Sequence, residues 1–280
     1  MMVTKILDDL GITLKGDLMV NTVPGEEDGG FGTMATIAKG YTADGIVICE
    51  PTGAQVTVAS GGSLVFRITV TGKAAHGGRR NAGVSAIEKF VPIFQDLLAW
   101  EAERQATVMH PLYDHYPNKF PISVGMVRSG DWHSTVPDSL TAEGRLGFLP
   151  NEDMEEMMEA TRQRIAAVAA ADEWLKDHPP VVEFFSGQFV AEEISPDHEL
   201  TKAMLAAHKT IMGEDTVVGA STAGTDQRLW VHFTDVPALL YSHGDLSLAH
   251  QSNEHIEVER VLNTIAVLTQ MVIDWCEIAD

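Results

Sequence analysis

The hydrophobic pattern of this 280-residue chain changes character twice, and those changes constrain the fold most. Before residue 60, short apolar runs are separated by glycine-bearing turns and one helical stretch. Leu18-Met19-Val20 and Gly45-Ile46-Val47-Ile48-Cys49 read as buried strands, and Phe31 to Lys39 as a helix between them. Strand, turn, helix and strand in that order predict an α/β layer on a largely parallel sheet. From Leu64 the period becomes two. Leu64, Phe66, Ile68 and Val70 alternate with Val65, Arg67 and Thr69, which is a strand with one more polar face.

The alternating strand opens a block of its own. A helix is expected over 82–103, strands over 122–127 and 139–148, a helix after Asn151 as N-cap, and a strand over 181–185. The order β-α-β-β-α-β is that of a split ferredoxin-like unit. The α/β character then returns with a helix over 198–212, a strand over 236–241 and a closing helix over 257–278. The expected architecture is therefore α/β, with residues 1–59 and 187–280 forming one domain and an inserted α+β domain at 60–186.

Charge narrows the function classes. The net charge is −21 and the isoelectric point is near 4.7. Nucleic-acid binding needs a basic face, and anionic membranes repel such a surface, so neither partner is expected. No apolar run reaches the roughly 20 residues of a membrane span. Cys49 and Cys276 stand far apart without a spacing motif, which fits a reducing cytoplasm.

Chemistry concentrates in the turn Val23-Pro24-Gly25-Glu26-Glu27-Asp28-Gly29-Gly30. Two adjacent carboxylates can divide their work, one holding a metal and the other carrying a proton. Glu27 and Glu50 both fall at expected C-terminal ends of strands, the edge where open α/β sheets place their sites. His250 follows a strand and a glycine loop and could reach the same edge. With 40 acidic residues in the chain, each of these groups taken singly reads equally well as solvated surface. Placed together on one edge, they read as a site.

These motifs, taken in order, resemble the zinc-dependent deacylases and carboxypeptidases that include acetylornithine deacetylase, succinyl-diaminopimelate desuccinylase and aminoacylase. The matching stretches are Gly25 to Gly30, Glu50-Pro51-Thr52, Val70 to Gly78, Gly83 to Lys89, Val136-Pro137-Asp138, Gly224-Thr225-Asp226, and Ala249-His250 with Asn253-Glu254. Gly130-Asp131-Trp132 and Asp274-Trp275-Cys276 bring the acetylornithine deacetylase-like branch nearest. The resemblance implies a zinc-hydrolase domain carrying an inserted lid that also dimerises. It implies a small N-acyl amino acid as substrate and two zinc ions, for which cobalt or manganese could substitute. Glu26 corresponds to the general base and His76, on the lid, to the oxyanion-stabilising histidine. Glu27 and His250 resemble the ligands of one zinc, and Glu50 a ligand of the other. Thr225, Asp226 and Arg228 look like a substrate-side loop, with Arg228 able to clamp a carboxylate.

Two departures qualify the resemblance. The family's first metal motif, His-x-Asp, and the aspartate that bridges both metals precede the Glu-Glu turn, yet residues 1–25 hold no histidine. His243-Gly244-Asp245 spells His-x-Asp but sits in the glycine loop before His250, a chance match. His133 stands where proline is expected, which touches specificity. The chain thus reads as an N-terminally truncated member with an impaired site. The competing readings are a non-catalytic remnant that dimerises or binds, a dipeptidase or carboxypeptidase of the same family, and a metal-free carrier of small carboxylates.

Overall fold

The computed structural model describes residues 1–279. Its helices are α1 (Met2–Asp9), α2 (Phe31–Ala38), α3 (Ala86–Thr107), α4 (Met154–Ala170), α5 (Glu199–Met212), α6 (Gln227–Thr234) and α7 (Val258–Cys276). Its strands are β1 (Ile46–Ile48), β2 (Val56–Ser60), β3 (Gly62–Thr71), β4 (Ala75–His76), β5 (Ile122–Ser129), β6 (Thr135–Val136), β7 (Ser139–Phe148), β8 (Val181–Phe184), β9 (Glu192–Glu193), β10 (Val218–Ser221) and β11 (Ala238–Leu240). The chain divides into two compact units. One comprises residues 1–60, 192–221 and those from 225 on; the other comprises 61–191 and 222–224.

The first unit is α/β, and its sheet is mixed rather than largely parallel. In the order β1-β11-β2-β10, β1 runs parallel to β11 and β10 parallel to β2. The two pairs meet antiparallel at Leu240 and Thr57, and β9 lies antiparallel on β2. Every residue of β2 is buried, as expected of a strand covered on both faces. The strand anticipated at Leu18-Met19-Val20 is absent. That stretch has no ladder partner among the described residues, and Met19 and Val20 are exposed. A strand exists only where a neighbour takes its backbone groups, which an apolar run alone cannot guarantee.

The second unit has the expected β-α-β-β-α-β order. Its sheet, β5-β7-β3-β8, is antiparallel throughout. Leu64, Phe66, Ile68 and Val70 of β3 all have zero exposure and pack with Ile93 and Leu97 of α3 and Ile165 of α4. The alternation legible in the sequence is therefore the core face of this sheet. β3 and β7 pair without a shift from Gly62–Phe148 to Thr71–Ser139. A Cβ on Gly62 would lie 2.1 Å from the Phe148 ring, so glycine there lets the ring close the end of the core.

Local signals set the helix ends. Ser85 caps α3 by accepting from the N–H of Glu88. Asp153, rather than Asn151, caps α4, accepting from the N–H of Glu156 at 3.0 Å, while the Asn151 amide donates to Met109 O. The helix expected from residue 82 starts at Ala86, because Gly77–Ala82 winds as a short 3-10 segment. Both cysteines are free. No helix among the described residues is long and apolar enough to cross a membrane.

Candidate functional site

The acidic turn is held from three sides within the first unit. The N–H groups of Gly29 and Gly30 donate back to Glu26 O and Gly25 O. Arg228 donates from its guanidinium to Gly29 O at 2.9 Å. Thr33, in the first turn of α2, donates to Asp226 Oδ2 at 2.5 Å. Gly30 takes φ +76°, and a Cβ on it would fall 2.2 Å from Asp226 Oδ1. Only glycine permits both that backbone and that approach.

Thr225, Asp226 and Arg228 therefore face inward. Each is at most 5% exposed. Thr225 lies 2.9 Å from Ser60 Oγ, and Ser60 donates to Gln227, whose amide in turn donates to Val58 O and Ala238 O. In place of the expected substrate-side loop, these side chains brace the Glu26–Glu27 turn and the sheet beneath it. The same burial takes Arg228 off the surface. Asp226 Oδ1 is buried without a hydrogen-bond partner.

The electrostatics single out Glu26. Burial is the largest influence, and Glu50, Asp226 and Glu27 add negative charge nearby. Together they push its carboxyl up to about 7 against the opposing Arg228. A carboxyl poised there can take and return a proton at neutral pH. Glu50 is also raised, first by burial and then by Glu27 and Asp226, and Asp226 is raised by burial against the Thr33 bond.

Glu27 and His250 meet as expected, Nε2 to Oε1 at 3.2 Å, both side chains well exposed. His250 holds a left-handed backbone, φ 60°, and its N–H donates to Glu254 at 3.0 Å. The Asn253-Glu254 part of the motif thus fixes the histidine loop. His243 of the accidental His-x-Asp is buried against Thr264, and Asp245 caps a 3-10 turn through the Ser247 N–H; neither points to a metal.

A zinc site needs three or four protein donors. Among the described residues, no three His, Cys, Asp or Glu side chains are gathered closely enough to hold a metal ion. The Glu27–His250 pair supplies two donors, so the donor set present does not fit a zinc by itself.

The second unit, described by itself, holds two further groups. His76 ends β4, and its Nδ1 accepts the N–H of Gly78 at 3.1 Å. That leaves the proton of a neutral ring on Nε2, the tautomer an oxyanion donor requires. Arg145, on β7, escaped the sequence reading. It donates to Ser63 Oγ at 3.2 Å and Thr222 O at 3.4 Å, both neutral. Burial alone pulls its pKa down. A largely buried guanidinium served by neutral oxygens is a ready anion receptor. It alternates with Leu146 and sits on the strand's polar face, where sequence alone sees only surface.

An α/β unit with a glutamate of raised pKa beside an acid–histidine pair, and a second unit of ferredoxin-like order, are features to set beside known hydrolases. Residues 58–173 match the M20 peptidase dimerisation domain, and nearly the whole chain is similar to known deacylases. It is 25% identical to an N-formyl-4-amino-5-aminomethyl-2-methylpyrimidine deformylase of Bacillus subtilis over 97% of this chain and 67% of that protein. It is 22% identical to a probable succinyl-diaminopimelate desuccinylase of Staphylococcus aureus over 93% of this chain and 68% of that one. The fold is shared with the di-peptidase Dug1p of Saccharomyces cerevisiae at TM-score 0.71 and 13% identity, over 90% of this chain and 64% of that one. The chain thus spans about two thirds of the length of these relatives.

Proposed function

We propose that this chain carries the acid–base centre and the lid of a hydrolase that cleaves the amide bond of a small N-acyl amine. The observation that carries the reading is the Glu26 carboxyl, raised to about 7 beside the Glu27–His250 pair. As base, Glu26 takes a proton from the attacking water. The water oxygen adds to the acyl carbon, and the Nε2–H of His76 donates to the resulting oxyanion. As acid, Glu26 then returns the proton to the amine nitrogen as the C–N bond breaks, leaving a carboxylate and a free amine. His76 lies in the second unit, so this step requires the lid.

Two substrate classes compete. The motif resemblance favours an N-acyl amino acid of the acetylornithine type. The likeness to a deformylase along nearly the whole chain favours an N-formyl aminopyrimidine, and we place that substrate first. Steady-state assay of N-formyl aminopyrimidine, N-succinyl and N-acetyl amino acids, with and without added zinc, tests both. Glu26→Gln should lower kcat by roughly 100-fold or more, the scale of a lost general base. Turnover unaltered by that substitution would remove the reading.

Zinc binding by this chain is expected to be weak, because two donors leave the ion half-coordinated. Calorimetric titration should show no tight site; two tight zinc ions would overturn the impaired-site reading and restore a complete centre.

A second reading is favoured by the match of residues 58–173 to a dimerisation domain. In it the chain dimerises or binds without catalysing. β5 is an edge strand with Met126 and Val127 exposed, and an edge offers unpaired backbone to a second copy. A homodimer is compatible with both readings; the Glu26→Gln assay separates them.

A further inference from the structure

We infer that the cavity beside His76 in the second unit is a subsite for a planar, amine-bearing heteroaromatic group, walled by the Trp132 indole and charged by Asp131 and Asp138. The inference rests on the deformylase-like reading above and adds the residues that recognise the amine half of the substrate. The cavity has a volume of about 290 Å³ and is lined by Ala74, Asp131, Trp132, Thr135, Pro137 and Asp138, among others. Thr135 is the β6 residue paired with His76 of β4, and Ala74 stands two positions before His76. The space therefore borders the strand pair that carries His76, whose own side chain is not part of its wall.

Its size is at the lower end of small-molecule sites, which suits one substituted ring better than an extended peptide. Trp132 is 60% exposed. Its ring contact is His133, at 5.8 Å and tilted by 51°, so much of the indole surface remains open. An open indole face binds a flat ring by stacking and attracts a cation through its quadrupole. Neither the Asp131 nor the Asp138 carboxylate has a hydrogen-bond or ion-pair partner among the described residues. In a chain with 40 acidic residues, two such carboxylates mean little alone. Here they share one concave wall with an open indole, and no lysine, arginine or histidine lines the space. That charge pattern rejects the carboxylate tail of an amino acid and accepts an ammonium or amino-pyrimidine edge. Aromatic floor, acidic rim and adjacency to the oxyanion donor are what a leaving amine attached to a ring requires.

The test is calorimetric titration of the full chain with free 4-amino-5-aminomethyl-2-methylpyrimidine, the amine such a deformylation releases. The wild type should bind it, with affinity falling as salt rises. Trp132→Ala should weaken binding roughly tenfold, and Trp132→Phe should retain most of it. Asp131→Asn with Asp138→Asn should weaken binding and flatten the salt dependence. All these side chains are exposed, so the variants are expected to fold, as circular dichroism would verify. No binding by the wild type, or wild-type affinity in both Trp132→Ala and the double asparagine variant, overturns the subsite. The two proposals fail separately. Without hydrolysis of the N-formyl compound, but with amine binding that depends on Trp132, the function falls and the subsite stands. With hydrolysis whose KM ignores Trp132→Ala, the subsite falls and the function stands.

Discussion

Glu26 shows how much one residue's setting decides. Its identity and its glycine-flanked turn were legible in the sequence, but its proton affinity was not. That depends on burial and on Glu50 and Asp226, which are distant in sequence and close in space. The folded-state pKa of about 7 lies above the unfolded value of about 4.5. Between these values the folded protein holds a proton that the unfolded chain has released. The associated stability is fully present below about pH 4.5 and is lost as pH rises through 7. Glu26→Gln removes this dependence. Urea unfolding should find the variant more stable than wild type at pH 8 and nearly equal at pH 4.5. Because Glu26 is only half-buried, solvent screening holds the difference to about 1 kcal/mol. An equal difference at both pH values would show that Glu26 ionises normally. Arg228 teaches the opposite lesson: its type suggested a substrate clamp, and only its burial revealed a brace for the turn.

At the scale of elements, periodicity served well wherever one face of a strand or helix is covered. β3, β7 and α4 were read close to their observed limits for that reason. It failed at Leu18-Met19-Val20, where pairing rather than pattern decides, and at the mixed sheet, whose antiparallel joint leaves no mark in short strands buried on both sides. Nor could it show what α5, α7 and the end of β11 enclose. There the buried His208 shares a hydrogen bond with Tyr241 Oη at 2.6 Å, and its ring lies nearly parallel to His243 at 6.1 Å. Thr264 donates to Arg260 O, so its oxygen accepts from His243, whose Nε2 is left buried without a partner. Protonating either ring would bury a charge. Burial lowers the pKa of both; Glu214 and Asp215 oppose this at His208, while His208 and Arg260 reinforce it at His243. The folded pKa values therefore lie below the ordinary value of 6.5. The neutral pair's contribution to stability is complete above pH 6.5 and is lost as pH falls through the folded values. Since Glu26 titrates with the opposite sign, the readout must be a difference between proteins. His208→Gln should unfold in less urea than wild type at pH 7.5, and that deficit should shrink by pH 5. A deficit constant with pH would mean that His208 is not held neutral.

For the molecule as a whole, the chain divides into two compact units, and the core of the second is built on one antiparallel sheet with α3 and α4. Its elements were legible because they are continuous in sequence. The first unit is assembled from distant stretches, so its site could be read only as a set of motifs. Two compact units mean that one two-state transition need not describe unfolding. Phe66, fully buried on β3, provides the test. Phe66→Ala should cost the second unit about 3–5 kcal/mol. If the units unfold independently, calorimetry should show a new early transition while the remaining one keeps its midpoint, and near-neutral titration of Glu26 should persist after that first transition. If both transitions shift together, the core of the second unit also supports the first. Glu26, Glu27 and His250 would then depend on the second unit for their arrangement.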